Sequence, residues 1–470
     1  MTLRILLEVP ITSANLKNGA NHSFSNLRIN TKLIAPEALQ VIKRLNKENF
    51  EAYLVGGCVR DLLLAKQPKD FDVVTNATPE QIRQIFKHSR IIGRRFKIVH
   101  VVFAKTKIEV ATYRQNSEEN NQKQLTSENG MLLNDNQYGQ SVEEDSSRRD
   151  YTINALYYNP YQNVTLDFTN GIYDIVHGNI EIIGDPETRF REDPVRMIRA
   201  YRFAAKLGFN ITKRTKKLLP TLLPLLKEVP PARMFEEFNK LFLTGHGEQS
   251  FDLLLKNDVL KYLLTEQGPL LQDPKFAKFI KCALKSSDDR HKEGKRNMPH
   301  FLFAVMLWPL VYKLYTKMLT IDKYAINNTP EEIMAQAANI VLKRQCQITM
   351  LPIRAIDDII NIWTLVVSLE NQDNLNRPED FVWLEVYRAA QDFLALRQNL
   401  DPEFGELHKK WLEAYEFLVP PEMRNRKSIN KLRKENEMKN SKKNDRKRSN
   451  RKFRRSKPSK RAAEASYFSK

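Results

Sequence analysis

Cysteine is scarce in this chain. The three residues Cys58, Cys282 and Cys346 stand far apart in 470 positions, with no Cys-x-x-Cys pair. That spacing excludes a disulfide framework and a zinc knuckle, and it fits a reducing compartment. Long apolar runs are missing as well. The most apolar window, residues 301–312, contains Pro309 and falls short of the roughly 20 residues that a membrane span needs. The stretch from Leu3 to Ile11 is interrupted by Arg4, Glu8 and Pro10, unlike the unbroken apolar segment of a secretion signal. These absences lead to the expectation of a cytoplasmic protein with no membrane partner.

Acidic residues are the minority charge, 56 against 76 Lys and Arg, for a net +20. Most of the excess is local. From Arg424 to Lys470 there are 20 basic and 4 acidic residues, a net of +16, so the other 423 positions carry only +4. Beyond Pro420-Pro421 apolar residues almost vanish. Such a composition cannot bury enough surface to fold, and a disordered basic tail over residues 421–470 is expected. Its natural partner is a polyanion, gripped through phosphates without sequence preference.

The rest is ordinary globular sequence, 41% hydrophobic, and long enough for two to four domains. Residues 1–33 are polar and aperiodic, and read as a flexible extension. Between 34 and 183 the texture is mixed. Pro36–Asn46 has helical periodicity, Ala52–Val55 reads as a strand, and Gly56-Gly57 as a turn. Val59–Leu64 then reads as helix, Phe71–Val74 as strand and Pro79–Lys87 as helix. Val99–Ala104 and Lys107–Tyr113 form a hairpin pattern across Lys105-Thr106. Residues 115–140, rich in Asn, Gln, Ser and Gly, read as a surface insertion. Asn154–Tyr158, Leu166–Phe168 and Ile180–Ile183 are strand-like. From 184 to 248 and from 249 to 420 the signal is helical, clearest at Glu332–Lys343, Ile353–Leu369 and Phe381–Leu396.

One constellation carries chemistry. Leu54-Val55-Gly56-Gly57-Cys58-Val59-Arg60-Asp61 is followed at short distance by Asp70-Phe71-Asp72. Alternate residues of a strand share a face, so Asp70 and Asp72 are expected side by side. Two adjacent carboxylates repel unless a cation stands between them. Mg²⁺ takes hard oxygen ligands, commonly one or two carboxylates plus substrate phosphates. Two such ions can activate a hydroxyl and stabilise a leaving pyrophosphate. Gly56 and Gly57, lacking Cβ atoms, let backbone N–H groups approach phosphates, and Arg60 follows on the next helical turn. Alone, an Asp-x-Asp usually marks a solvated strand, and a Gly-Gly usually marks a turn. Their ordered combination is far less common.

Leu54–Asp61 with Asp70-Phe71-Asp72 closely resembles the signature of class II nucleotidyltransferases, the family of CCA-adding enzymes and bacterial poly(A) polymerases. The resemblance implies an α+β architecture. A polymerase-β-like nucleotidyltransferase head, a mixed sheet with helices, is followed by an all-α neck, body and tail domain. Arg148-Arg149-Asp150-Tyr151-Thr152-Ile153-Asn154 resembles the second motif of the family. It implies that Arg149 and Asn154 serve the nucleotide and that Asp150 joins Asp70 and Asp72 among the catalytic carboxylates. Glu109, on the strand Lys107–Tyr113, is the rival for that third position and ranks below Asp150. Arg191-Glu192-Asp193-Pro194-Val195-Arg196 and the residues after it resemble the third motif. By spacing alone this is an amphipathic helix capped by Asp193, with Arg196, Arg199 and Arg202 along one face. The resemblance instead implies that Asp193 and Arg196, with Arg199 nearby, read the edge of the incoming base.

Peripheral segments resemble the poly(A) polymerase branch. These are Gly93-Arg94-Arg95-Phe96-Lys97, residues 129–136, Glu143-Glu144-Asp145, and Pro230-Pro231-Ala232-Arg233-Met234-Phe235-Glu236-Glu237. No His-Asp dipeptide occurs, so the phosphohydrolase module of some CCA-adding enzymes is absent. The implied function is template-independent transfer of AMP from ATP to RNA 3′ ends, feeding RNA decay, with two Mg²⁺ ions (Mn²⁺ as a substitute). RNA-decay or RNA-chaperone proteins are the expected visitors to the tail. A CCA-adding enzyme is the alternative within the class, and a catalytically silent RNA-binding protein the alternative outside it. Cys58 departs from the small Gly or Ala commoner after the paired glycines, and its thiol raises the expectation of oxidation sensitivity.

Overall fold

Short runs of β-branched and aromatic residues build one eight-stranded sheet. Its strands are β1 (Ser23–Phe24), β2 (Ala52–Val55), β3 (Asp72–Thr75), β4 (Ser89–Ile92), β5 (Ile98–Val102), β6 (Lys107–Thr112), β7 (Leu156–Asn159) and β8 (Val164–Asp167), in the order β1-β8-β7-β2-β3-β6-β5-β4. The computed structural model describes residues 23–424, apart from 25–26, 28, 94–96, 105, 115–137, 266–267 and 322–325. The basic tail after Arg424, nearly all of the polar insertion and the run Arg94-Arg95-Phe96 therefore lie outside the described residues, as does the segment before Ser23.

Every neighbouring pair in the sheet is antiparallel except β3 and β6, which run parallel. A parallel pair needs a crossover, and the chain supplies one through helix Pro79–Ile85 and the hairpin arm β4. That helix starts where its sequence says it should. Thr78 and Gln81 form a reciprocal capping box, and Pro79 occupies the first turn. Central β3 has Val73, Val74 and Thr75 fully buried, as a strand covered on both faces must. Helix Pro36–Lys47 packs on β2, β3 and β6 through buried Ala38, Val41, Ile42 and Leu45. Val55, Val74, Tyr113 and Tyr157 form an apolar cluster with Val142, the first residue of helix Val142–Ser147. That cluster is the floor on which the site is built.

A two-stranded parallel pair, β9 (Asn179–Ile180) with β10 (Asn210–Ile211), follows, and the remaining described chain is helical. Its helices include Pro186–Glu192, Val195–Leu207 and Pro231–Phe242. The apolar window around Pro309 lies in a longer helix than its composition suggested, Pro299–Leu319, which is long and apolar enough to cross a membrane. Residues 302–308 are nevertheless buried on every side. Phe303 stacks on Phe238 at 3.8 Å. A helix apolar all round is a core helix when protein surrounds it.

The described chain separates into two compact units. One holds residues up to 314 with 339–356, and the other holds 315–338 with residues from 357 onward. In the second unit, Trp363 and Trp411 are fully buried, and the Trp411 indole donates to the Leu369 carbonyl at 2.9 Å. Arg397, completely buried, is held by Glu370 at 2.5 Å. The helix expected over Phe381–Leu396 is confined to Tyr387–Arg397. The residues ahead of it turn, so that Phe381 meets Trp411 edge-on at 5.6 Å. Strand β4 was not legible. As a half-exposed four-residue edge strand it carries little apolar pattern.

Candidate active site

Register fixes the site before any side chain is considered. Tyr157 on β7 lies opposite Val55 on β2, Val55 opposite Asp72 on β3, Asp72 opposite Glu109 on β6, and Glu109 opposite His100 on β5. Residues in direct cross-strand register share a face. One row of the sheet therefore changes from apolar to acidic, and Asp72 and Glu109 meet side by side. Lys107 donates to Glu109 at 2.7 Å, and the His100 Nε2 lies 3.2 Å from the same carboxylate oxygen. Asp70 is placed differently from expectation. The strand begins at Asp72, and Asp70 sits in a bend before it. The two carboxylates remain electrostatic neighbours. The Asp72 carboxyl is pushed up to about 6, first by burial and then by Glu109. Arg149 opposes the shift, Asp70 adds to it, and Lys107 lowers it slightly. Desolvation beside a like charge produces this kind of shift.

A cavity of about 270 Å³ opens on this row, lined among others by Asp72, Glu109, Asp145 and Arg149. The glycine turn stands at its side. Gly56 has φ +77°, a conformation that glycine adopts without strain, and its carbonyl accepts the Arg60 N–H as helix Gly57–Leu63 begins. A Cβ on Gly56 would stand 3.7 Å from the Arg149 Nη1, so the guanidinium lies directly against the turn. Arg149 is braced. Its Nε donates to the Asp145 Oδ2 (3.0 Å) and to the Tyr157 hydroxyl (2.9 Å), and its Nη2 donates to Asp145 at 2.8 Å.

Arg60 departs from the expected phosphate contact. It is 2% exposed and donates to Asp61 through Nε and Nη2, and to the Asn154 side chain at 2.6 Å through Nη1. Its Nε, Nη1 and Nη2 are thus each engaged inside the protein. Asn154 passes the link on, donating to Asp150 at 3.3 Å, and Arg199 grips the other Asp150 oxygen. Burial works against the charge on Asp150, yet Arg199 and the backbone N–H of Tyr151 hold its carboxyl down at about 2. Glu109 shares the row with Asp72 and pairs with Lys107, whereas Asp150 pairs with Arg199.

The third motif also differs in detail. Asp193 does not cap the helix with its side chain, because helix Val195–Leu207 follows Pro194 without a side-chain cap. The Asp193 carbonyl accepts the Arg196 N–H, while its carboxylate receives Arg233 of helix Pro231–Phe242 at 3.0 Å. Arg196 turns back to Glu192 (3.0 Å) and to the Arg189 carbonyl (2.7 Å). Asp193 and Arg196 are thus each engaged with a different partner. Sequence reasoning missed Arg233, Asp145 and Tyr157. Arg233 and Asp145 lie in segments noted only for their likeness, and nothing in the local sequence marks Tyr157.

Cys58 is buried. Its thiol lies 3.3 Å from the Val55 carbonyl and is pushed up to about 12 by burial and by Asp72. The expected oxidation sensitivity is corrected accordingly, since a thiol held protonated and shielded is a poor nucleophile.

Comparison with known proteins agrees with this geometry. Residues 52–181 match the family model of the poly A polymerase head domain, and residues 208–271 match one described as a probable RNA and SrmB-binding site of polymerase A. Residues 327–455 match the polymerase A arginine-rich C-terminus. The chain is 42% identical over 421 residues to poly(A) polymerase I of Escherichia coli O157:H7, covering 87% of each protein. This chain belongs to the poly(A) polymerase I family. Poly(A) polymerase I of Haemophilus influenzae is likewise 42% identical, over 81% of this chain and 84% of that protein. The CCA-adding enzyme of Leuconostoc mesenteroides is a more distant relative of this chain, 37% identical over 50% of it. Among solved structures, the fold matches the Thermotoga maritima CCA-adding enzyme complexed with tRNA, with a TM-score of 0.54 and 20% identity over 83% of this chain and 86% of that one. The Bacillus stearothermophilus CCA-adding enzyme in complex with CTP gives a TM-score of 0.51 at 24% identity, over 82% and 84% of the two chains.

Proposed function

We propose that this chain is a polynucleotide adenylyltransferase that works in the cytoplasm and extends RNA 3′ ends with AMP from ATP. The observation that carries the reading is the cross-strand row that sets Asp72 beside Glu109, within one cavity whose wall brings Arg149 to the Gly56 turn. The RNA 3′-hydroxyl attacks the α-phosphate, a new P–O bond forms, and the bond to the β-phosphate breaks to release pyrophosphate. Asp72 and Glu109, with Asp70 at the rim, are the residues that would hold the divalent cations, two Mg²⁺ or Mn²⁺. Among the described residues no three His, Cys, Asp or Glu side chains converge closely enough to hold a metal by themselves. That suits Mg²⁺, which takes one or two carboxylates and completes its shell with water and nucleotide phosphates. Bound there, the metal would polarise the α-phosphate and offset charge on the leaving pyrophosphate.

The chain's own groups do the positioning. Gly56, Gly57 and Arg149 receive the triphosphate. Arg60 and Asn154 tie the glycine helix to Asp150, and Asp150 fixes Arg199. Asp193 and Arg196 read the adenine edge, which requires Arg196 to exchange its Glu192 contact for the base. A site built to hydrogen-bond one base rejects others by leaving its polar groups unpaired. Residues 184–248 would frame the base and 249–420 would hold RNA. The basic residues after Arg424 would add salt-dependent affinity for RNA and a place for RNA-decay or RNA-chaperone proteins to dock.

The deciding assay supplies a generic RNA, Mg²⁺ and one nucleotide at a time. Long homopolymeric tails with ATP alone support the reading. Completion of CCA on transfer RNA only would replace it with the CCA-adding alternative, and absence of pyrophosphate release with any nucleotide would leave a silent RNA-binding protein.

A further inference from the structure

We propose that Asp145 and Tyr157 are positioning residues that lock the Arg149 guanidinium against the Gly56 turn, where it meets the triphosphate of the incoming nucleotide. This rests on the reading that Arg149 contacts that triphosphate.

The Asp145 Oδ2 accepts from the Arg149 Nε at 3.0 Å, from the Arg149 Nη2 at 2.8 Å and from the Tyr157 hydroxyl at 2.7 Å. The Tyr157 oxygen in turn accepts from the Arg149 Nε at 2.9 Å, and its ring lies 5.2 Å from the guanidinium carbon. Asp145 is itself anchored. It is 5% exposed, and its Oδ1 accepts the backbone N–H of Arg114 at 3.2 Å, just beyond the end of β6. Tyr157 is fully buried in the apolar row of the sheet. Arginine normally loses considerable rotamer freedom when it grips a ligand. Here the Nε and Nη2 are committed to the protein, which fixes the plane of the guanidinium and leaves the Nη1 beside Gly56. A donor already aimed at its target binds without that entropic cost at the moment of association.

A purely structural role would be to hold helix Val142–Ser147 on the sheet, and the two roles separate experimentally. Tyr157→Phe keeps the ring and its packing and removes only the hydroxyl. Binding of a non-hydrolysable ATP analogue and of AMP is measured for the native protein, Tyr157→Phe, Arg149→Ala and the double variant, together with each melting temperature. The expected result is about tenfold weaker binding of the analogue by Tyr157→Phe, unchanged AMP binding, a melting temperature close to native, and no additional loss in the double variant beyond Arg149→Ala. Native analogue affinity in Tyr157→Phe while Arg149→Ala binds weakly would overturn the inference, as would additive losses in the double variant or equal weakening toward AMP. Native affinity in Arg149→Ala would instead overturn the underlying assignment of Arg149 to the triphosphate. Should Tyr157→Phe fail to fold, Asp145→Asn, of nearly identical shape, puts the same question with the same outcomes.

Discussion

On the sheet face, Asp72 and Glu109 stand together as like charges. Along helix Val195–Leu207, by contrast, every basic side chain faces an acid: Arg196 meets Glu192, Arg199 meets Asp150, Arg202 meets Glu237 and Lys206 meets Asp61. The two regions are equally rich in charge. They differ in arrangement: on the sheet two acids face each other, with Lys107 pairing Glu109, whereas along the helix each base faces an acid. Asp72 resists ionisation up to about 6, first because it is desolvated and then because Glu109 stands beside it, and a bound cation would relieve that repulsion. Matched charge, as at Asp150, behaves as framework.

Substitutions on each side test that contrast. The largest effect is expected for Asp72→Asn. AMP incorporation should fall by at least about 10³-fold, while folding stability stays level or rises because repulsion with Glu109 is relieved. Near-native incorporation would sink the assignment of the cation site. Next comes the pair Glu109→Gln and Asp150→Asn. The first should cut turnover by about 10²-fold with an unchanged denaturation midpoint. The second should cost about 2 kcal/mol of stability, because it leaves Arg199 partly buried without its counter-charge. Denaturant titration beside a single-turnover assay reads both, and the opposite assignment of the two effects restores Asp150 as the third catalytic acid.

A pH effect away from the site is expected to be of comparable size. His246 is held down at about 4, chiefly by burial and then by Lys206. It stays neutral in the folded protein but takes a proton near 6.5 once unfolded. The stability it contributes is therefore complete above about 6.5 and is lost as pH falls toward 4, by on the order of 2–3 kcal/mol. His246→Gln should flatten that slope in melting curves between pH 7 and 4. The smallest effect belongs to Cys58. Alkylating reagent or mild oxidant applied to the folded protein should leave incorporation unchanged, and loss of activity that tracks modification of Cys58 would show that its thiol is accessible after all.

Much of this molecule could be read directly. β2 matches its expected bounds residue for residue, and the hairpin of β5 and β6 appears where alternation placed it. The start of the helix at Pro79 and the helical signal from residue 184 onward follow the same local rules. These features depend on periodicity, capping and turn chemistry, which neighbours in sequence decide. The motif residues Asp72 and Arg149 do line one cavity, and Arg149 stands against the Gly56 turn. Their internal division of labour was not legible. Arg60 has the position of a phosphate ligand and is buried against Asn154. Asp150 sits in the expected motif and is taken by Arg199.

What the sequence determined alone is the set of elements and the chemical types gathered near the glycine turn, since strand alternation and short loops leave those little choice. Which carboxylate stands beside Asp72 was settled by the pairing of β3 with β6. Which arginine faces outward was settled by the partners supplied from other elements, Asp145 and Tyr157 for Arg149, Asn154 for Arg60. Electrostatic neutralisation acts through space over a few ångströms, and contacts such as that between Arg60 and Asn154 join residues 94 positions apart. No local pattern in the chain records them.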